Sequence, residues 1–325
     1  MTKKRVLSLV GLIIVVILWG VAPVVSKYLF DNNFYSPALL VAVRGLLACT
    51  AMLVFILITK GFKDVNKAYL ICIPAGIFLG LAYLFQFIGL ESTTPAKNTF
   101  LESISCIAVP ICLFILVREK PTIASICAAV ACLIGSFVLC GKGWDFTEMF
   151  TSPTIGDILS AIGGIFFGVD IAFTKVFAKN KNPFVYVFFQ LVILTVMSFI
   201  YALPFEKGLT FSWAFPNIMI LVFLGVICTA VCWVLRTISI KNVSAVTCAV
   251  LMPMAAVIAT VTSIICKTEQ FSWNVVVGGL IITLAIVISG VFDALADKKA
   301  KAKLENEPNT NIEEVNQDEQ NQSEQ

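Results

Sequence analysis

The chain alternates between long apolar runs and short polar connections. Ten runs of about twenty apolar residues lie between Leu7 and Phe292. A bilayer core about 30 Å thick needs roughly 20 such residues per helix, so each run is long enough to cross a membrane. The predicted spans are 6–29, 36–59, 69–90, 97–117, 121–140, 155–177, 184–204, 216–236, 243–266 and 271–292. The pattern predicts an all-α integral membrane protein with ten transmembrane helices.

Lysine and arginine positions predict the orientation of these helices, because basic residues favour the cytoplasmic side. With a cytoplasmic N-terminus, 16 of the 23 basic residues fall in cytoplasmic segments, 4 in outer loops and 3 within spans. Arg236 is counted here with the cytoplasmic segment that follows the eighth span. We therefore expect a multi-pass protein of the plasma membrane with both termini in the cytoplasm.

Short motifs of the first half recur in the second half. Span one contains Gly-Val-x-x-x-x-Ser-Lys, ending at Lys27, and span six contains Gly-Val-x-x-x-x-Thr-Lys, ending at Lys175, 148 residues later. Arg44 and Gln190 each follow a span-opening proline by seven residues. Because each half has five spans, an odd number, the second copy enters the membrane from the opposite side. The spacing predicts two inverted five-helix repeats.

This duplication sets the expected domain organisation. The first repeat occupies residues 1–140, a loop covers 141–154, the second repeat occupies 155–292, and a tail covers 293–325. The tail is rich in Glu, Asn, Gln and Lys and has almost no large apolar residue. It buries too little surface to fold, so we expect a disordered cytoplasmic tail. Inverted repeats create two equivalent conformations, one open to each side, which is the basis of alternating access.

Composition excludes several classes of function. Hydrophobic residues make up 59% of the chain and charged residues 13%, a balance that suits contact with lipid. The chain has no histidine, and its eleven cysteines show no CxxC spacing. It lacks a Walker A loop, an HExxH motif and a Gly-x-Ser-x-Gly elbow. We expect neither an enzyme nor an ATP-driven pump, with no metal, no cofactor and no nucleic-acid partner.

Ionisable side chains inside the spans are the first candidate functional residues, because each costs roughly 2.5–3.5 kcal/mol at mid-span. Asp170, in span six, is the sharpest candidate. It either binds and releases a proton or forms a structural ion pair with Lys175 or Lys27. Glu102, in span four, could carry a proton, bind a substrate amino group or pair with Lys97.

Arg44 lies near the middle of span two and should not face lipid. Its guanidinium could clamp a carboxylate or phosphate, or neutralise Asp170 or Glu102 across the bundle. Its counterpart in the second half is the uncharged Gln190, so the two halves are not chemically equivalent.

The remaining candidates are polar or aromatic residues within spans. Some could hydrogen-bond a substrate or line a cavity, or only pack between helices: Gln86, Gln190, Trp19, Tyr83 and Trp233. Lys27 and Lys175 lie near opposite ends of their spans. They either extend to the membrane interface or, since they share a repeat position, act in gating.

Several motifs resemble one known family. The run Thr-Pro-Ala-Lys-Asn-Thr-Phe-Leu at 94–101 and the run Val-Arg-Glu-Lys-Pro-Thr at 117–122 resemble the fourth-span signature of the EamA family, in the drug/metabolite transporter superfamily. Trp19-Gly20 and the Asn-Val-Ser-Ala run at 242–245 resemble the matching elements of spans one and nine. The resemblance covers about residues 8–292. Met252 departs from it, because the family often has an acidic residue there.

The resemblance implies a secondary active transporter that moves a small metabolite or drug-like compound across the plasma membrane by alternating access. It implies an exporter coupled to protons or to the exchange of a second substrate. An uncoupled facilitator or channel is the alternative. The expected partners are a small-molecule substrate, the lipid bilayer and protons, and a homodimer stays open beside a monomer.

The orientation is testable by cysteine labelling. In a cysteine-free background, a single cysteine introduced at Asn32 should react with a membrane-impermeant thiol reagent added outside, because the charge bias puts that loop outside. A single cysteine at Asn66 should react only after the membrane is opened. The reverse labelling pattern would contradict the orientation.

Overall fold

The computed structural model of the protein describes residues 3–141, 144, 154–206 and 210–288. Ten helices follow one another in the described chain: α1 (Lys3–Asp31), α2 (Pro37–Ile58), α3 (Lys67–Glu91), α4 (Pro95–Val117), α5 (Ile123–Cys140), α6 (Ile155–Phe177), α7 (Pro183–Phe205), α8 (Phe215–Asn242), α9 (Ala245–Ile265) and α10 (Trp273–Ile288). Within those residues, α1 to α9 are long and apolar enough to cross a membrane, and α10 is a shorter apolar helix. The protein is therefore an all-helical, multi-pass membrane protein over its described part.

The eighth helix differs most from its predicted span. It continues to Asn242, whereas the apolar pattern ends it at 236. The assignment of Arg236 to a cytoplasmic segment is therefore wrong, because its side chain lies inside the bundle and is only 1% exposed. The apolar pattern predicts a helix end at this charged residue, but a carboxylate of α6 neutralises the guanidinium, so the helix continues.

The helices that later frame the site begin at capped residues. The hydroxyl of Thr94 accepts from the backbone N–H of Lys97 at the start of α4. The hydroxyl of Ser244 does the same for Thr247 at the start of α9. Because the first backbone donors of a helix have no partner within it, such caps fix where each helix begins.

Helices α4 and α9 are both interrupted inside the bundle. Each consists of two helical segments: Pro95–Glu102 and Ser105–Val117, and Ala245–Leu251 and Met254–Ile265. Glu102 and Met252 stand at the two interruptions and are 150 residues apart. In α9, Pro253 removes a backbone donor and weakens the helix at this point. Irregular backbone at membrane depth is tolerated only where protein or a cavity surrounds it, so both interruptions mark the interior.

The two halves of the sequence share one core. Helix α2 packs along α7, α3 packs along α6 and α7, and α1 packs along α8 and α9. We call the end of the bundle at which α1 begins the basic end, and the end at which α1 finishes the distal end.

Gly164 lets α6 approach the interruption of α4. A Cβ at this position would lie 2.8 Å from the carbonyl oxygen of Leu101 and 2.9 Å from the Cα of Glu102. Both are backbone atoms that cannot move aside easily, so only glycine allows this packing. The close contact fixes Glu102 against α6.

Substituting Gly164 by alanine should therefore destabilise the protein. The added methyl group forces α4 and α6 apart, and overpacking of this kind costs about 1–3 kcal/mol. Gly279→Ala in α10 is the matched control, because its Cβ would lie 3.5 Å from the nearest side-chain atom, of Val257. Thermal unfolding in detergent measures both variants, and equal stability of the two would contradict this account of the packing.

Candidate functional site

A small cavity lies where the two interrupted helices meet. Its volume is about 30 Å³, which is room for roughly two water molecules at ~10–15 Å³ each. Six of the predicted site residues line it: Trp19, Arg44, Tyr83, Gln86, Glu102 and Trp233. Phe167 and Met252 line it too. We call this space the central cavity, and residues from both halves of the chain enclose it.

Aromatic rings form one wall of the central cavity. The indole Nε1 of Trp233 donates to the hydroxyl of Tyr83 at 2.6 Å. The Trp19 ring packs 5.0 Å from that of Trp233, and its Nε1 donates to the carbonyl of Cys228 at 2.9 Å. Phe167 stacks on Trp233 with an interplanar angle of 16°. Since the polar atoms of these rings are bonded, the wall presents mainly flat apolar surface.

Glu102 reaches the cavity from the interruption of α4. Its Oε2 accepts from Nε2 of Gln86 at 2.6 Å. The expected partner Lys97 lies elsewhere, because its ammonium pairs with Asp157 at 2.6 Å. Lys97 is on the first turn of α4 and faces the start of α6, where Asp157 caps the helix. The proposed pair between Glu102 and Lys97 is therefore wrong.

Arg44 is fixed by an irregular stretch of α8. Its Nε donates to Oγ1 of Thr229 at 3.0 Å, and its Nη2 lies 3.4 Å from the carbonyl oxygen of Leu224. Residues 223–231 form a π-helix, in which Thr229 also donates to Leu224 at 2.7 Å. The guanidinium carbon lies 5.0 Å from the ring centre of Phe87 and 5.4 Å from that of Tyr83. Such π-helical turns are frequent at functional sites.

Asp170 lies in a second polar cluster and does not line the central cavity. Its side chain is fully buried, and its Oδ2 lies 2.8 Å from Nη2 of Arg236. Gln190 donates to the Oδ1 at 2.8 Å, and Thr174 lies at 3.4 Å. Lys175, Lys27 and Arg44 were the predicted partners of Asp170. These three predictions are wrong, because Arg236 forms the ion pair instead.

Arg236 is the site residue that the sequence reasoning missed. Besides its ion pair, its guanidinium lies 4.4 Å from the ring centre of Trp233, so it links Asp170 to the wall of the central cavity. The repeat contained a signal for it, because Arg236 follows Gln86 by 150 residues. An arginine at the repeat position of a buried glutamine is expected to lie within the helix and not in the segment that follows it.

Each half of the chain supplies one arginine, one glutamine and one acid to these clusters. The first cluster contains Arg44, Gln86 and Glu102, and the second contains Asp170, Gln190 and Arg236. Arg44 lies seven residues after the start of α2, and Asp170 lies seven residues before the end of α6. The two residues are therefore each about 10 Å from an end of the bundle, and these ends are opposite. The second cluster is closed by its ion pair, whereas the first borders empty space.

The two repeat lysines both bind the carboxyl ends of helices. Lys27 Nζ donates to the carbonyl of Glu91 at 2.6 Å and lies 3.2 Å from Asp31. Lys175 Nζ donates to the carbonyls of Ile240 at 2.8 Å and Val243 at 2.6 Å. A cation is favourable at this negative end of a helix. Each lysine therefore joins two helices at one end of the bundle.

A larger cavity lies beside the central one at the distal end. Its volume is about 840 Å³, and its walls come from α1, α4, α8 and α9. Ala22 and Pro23 line the central cavity, and the next residues of α1, Val24 and Val25, line the larger one. We call the larger space the vestibule. The central cavity is therefore about one helical turn from open space on the distal side.

The ion pair in the second cluster is open to a double-mutant test. Asp170→Asn or Arg236→Gln alone should cost about 3–5 kcal/mol, because each leaves one buried charge without its partner. The double variant should cost much less than the two added together. Asp31→Asn is the control, since its pair with Lys27 is 59% exposed on the aspartate side and should contribute about 0–1 kcal/mol. Additive losses in thermal unfolding would show that the pair is not coupled.

Comparisons with known proteins agree with this architecture. An "uncharacterized transporter" of Archaeoglobus fulgidus is 27% identical over 289 residues, which cover 88% of this chain and 86% of that protein. The "uncharacterized inner membrane transporter YicL" of Salmonella typhimurium is 25% identical over 54% of this chain and 56% of its own length. One solved crystal structure shares the fold, with a TM-score of 0.69 at 17% identity, over 89% of this chain and 98% of that one.

A family profile covers almost all of the membrane-spanning part. The profile of the EamA-like transporter family matches residues 6–141 and matches again at residues 154–291. These two stretches contain every residue of the central cavity and of both polar clusters. The chain belongs to the EamA-like transporter family.

Proposed function

We propose that the protein is a secondary active transporter and that the central cavity is its substrate site. The carrying observation is a small cavity at the interruptions of α4 and α9, lined by both halves of the chain. The halves act as inverted repeats, residues 1–140 and 155–292, with both termini in the cytoplasm. Interrupted helices at the repeat interface are the usual place for a transporter site.

Alternating access is supported by the difference between the two sides of the cavity. On the distal side, the vestibule of about 840 Å³ comes within about one turn of the cavity. On the basic side, the pair of Asp170 and Arg236 and the contacts of Lys175 join α6 to α8. A cavity of about 30 Å³ does not hold a metabolite, so the helices must separate before substrate enters.

We assign proton coupling to Glu102 rather than to Asp170. Asp170 is fully buried, pairs with Arg236 and accepts from Gln190, so its charge is already compensated. Glu102 borders the cavity and accepts from one neutral donor, Gln86. A carboxylate in contact with cavity space can gain or lose a proton as that space opens. With the distal end outside, protons that enter through the vestibule reach Glu102 and drive export of the substrate.

The test is transport by the purified protein in proteoliposomes. Pools of amino acids, nucleosides and organic cations are added, and proton movement and tracer counterflow are recorded. A saturable flux of one pool that shows counterflow supports a carrier. Flux that does not saturate and shows no counterflow would favour the alternative, a facilitating channel.

Coupling is tested by moving the carboxylate. Glu102→Gln should abolish accumulation driven by a pH gradient and leave substrate exchange partly intact, because only the proton-binding group is lost. Met252 borders the same cavity at the corresponding interruption, so Met252→Glu in the Glu102→Gln background should restore coupling. Met219→Glu is the matched control, because Met219 is 45% exposed and lines the vestibule instead. Normal pH-driven accumulation by Glu102→Gln would contradict the assignment.

A further inference from the structure

Arg44 is a buried cation that has no acidic partner among the described residues. Its side chain is 1% exposed, and its Nη1 has no hydrogen-bond partner. Among the residues that the structure describes, no ion pair includes it. Arg236, equally buried, lies 2.8 Å from Asp170. A buried charge is tolerated when an opposite charge compensates it. Among the described residues, Glu102 forms no ion pair with Arg44, so Arg44 lacks at contact distance the carboxylate that Arg236 has.

The surroundings of Arg44 hold its guanidinium ready for such an anion. Thr229 and the carbonyl of Leu224 occupy Nε and Nη2, and the rings of Phe87 and Tyr83 lie within about 5.4 Å of its central carbon. Fixed contacts on two nitrogens reduce the entropy that a ligand must overcome to bind the third. Arginine presents its donors in a planar fork that matches a carboxylate.

We propose that the central cavity binds small organic carboxylates, with the carboxylate on Arg44 and an apolar body against the aromatic wall. This inference rests on the proposed transport function and names its substrate class. The cavity of about 30 Å³ has room for a head group the size of roughly two waters, which suits a carboxylate. Arg44 is the one cation among the described lining residues, so a monoanionic carboxylate matches its charge, whereas a phosphate dianion would leave one negative charge uncompensated.

The apolar wall distinguishes an organic carboxylate from a simple inorganic anion. Trp19, Tyr83, Phe167 and Trp233 border the cavity with ring surface whose polar atoms are already bonded. Flat apolar surface is buried favourably against such rings. The vestibule begins at the next residues of α1, so the body of a substrate extends toward it once the helices separate.

Three probes with one common body separate the head-group requirement. Binding of 3-phenylpropanoate, 3-phenylpropanamide and 3-phenylpropylamine to the purified full-length protein is measured by calorimetry. The carboxylate should bind saturably and more tightly than the amide and the amine. Arg44→Gln should weaken carboxylate binding roughly 10- to 100-fold, the range for a lost charged hydrogen bond. Arg44→Lys should lie between, because it keeps the charge without the fork, and Lys63→Gln, exposed at the basic end, should bind normally.

Stability without any ligand gives an independent reading. If Arg44 lacks an anion, Arg44→Gln should change the unfolding temperature clearly less than Arg236→Gln does. An equally large loss would show that the guanidinium is already compensated and would overturn the inference. So would an amide that binds as tightly as the carboxylate, undiminished carboxylate binding by Arg44→Gln, or no carboxylate binding by the unaltered protein. Binding is measured without transport. Counterflow can therefore be observed when carboxylate binding is absent, and carboxylate binding can be observed when counterflow is absent.

Discussion

The ion pair between Arg236 and Asp170 is the interaction on which the arrangement of this bundle depends. It lets α8 remain helical through a charged residue and continue to Asn242. It joins α6 to α8 on the basic side. The two buried charges compensate each other there without contact with water. Through the cation–π contact at 4.4 Å, it also positions Trp233, whose indole forms part of the wall of the central cavity. The contact between α6 and α8 and the position of Trp233 in the cavity wall therefore have one common cause.

The two halves place the same kinds of side chain in different surroundings. Gln86 and Arg236 stand 150 residues apart, and Arg44 and Gln190 stand 146 apart, so the arginine and the glutamine have changed places between the halves. In the second half this brings the guanidinium onto a carboxylate. In the first half it leaves Arg44 on neutral partners beside a cavity. A pair of repeats that were chemically identical would have two equal clusters. The exchange gives one cluster with an internal ion pair and one that borders a cavity, and we propose that the second of these binds the ligand.

The sequence predicted the helices well and the partners poorly, for a physical reason. Apart from the end of α8 and the last described helix, every predicted end lies within three residues of the observed one, since long apolar runs leave little freedom in a membrane. Six predicted site residues line one cavity, and the polar ones among them lie inside the bundle because polar groups are expensive to place against lipid. The partners of Asp170 and Glu102 depend on how α6, α3 and α8 pack, which periodicity does not encode. The interruption of α4 was likewise invisible, because no proline stands at Glu102.

Alternating access is the central claim, and distances across the two ends of the bundle test it most directly. One pair of spin labels, at Asn32 and Gln270, spans the distal end. A second pair, at Asn180 and Lys120, spans the basic end and occupies the corresponding repeat positions, 148 residues after Asn32 and 150 before Gln270. Distances are measured in a cysteine-free background in lipid, with and without a transported compound. Our account predicts that one pair lengthens as the other shortens. Both pairs long at once, or neither pair responding, would contradict it and favour a channel.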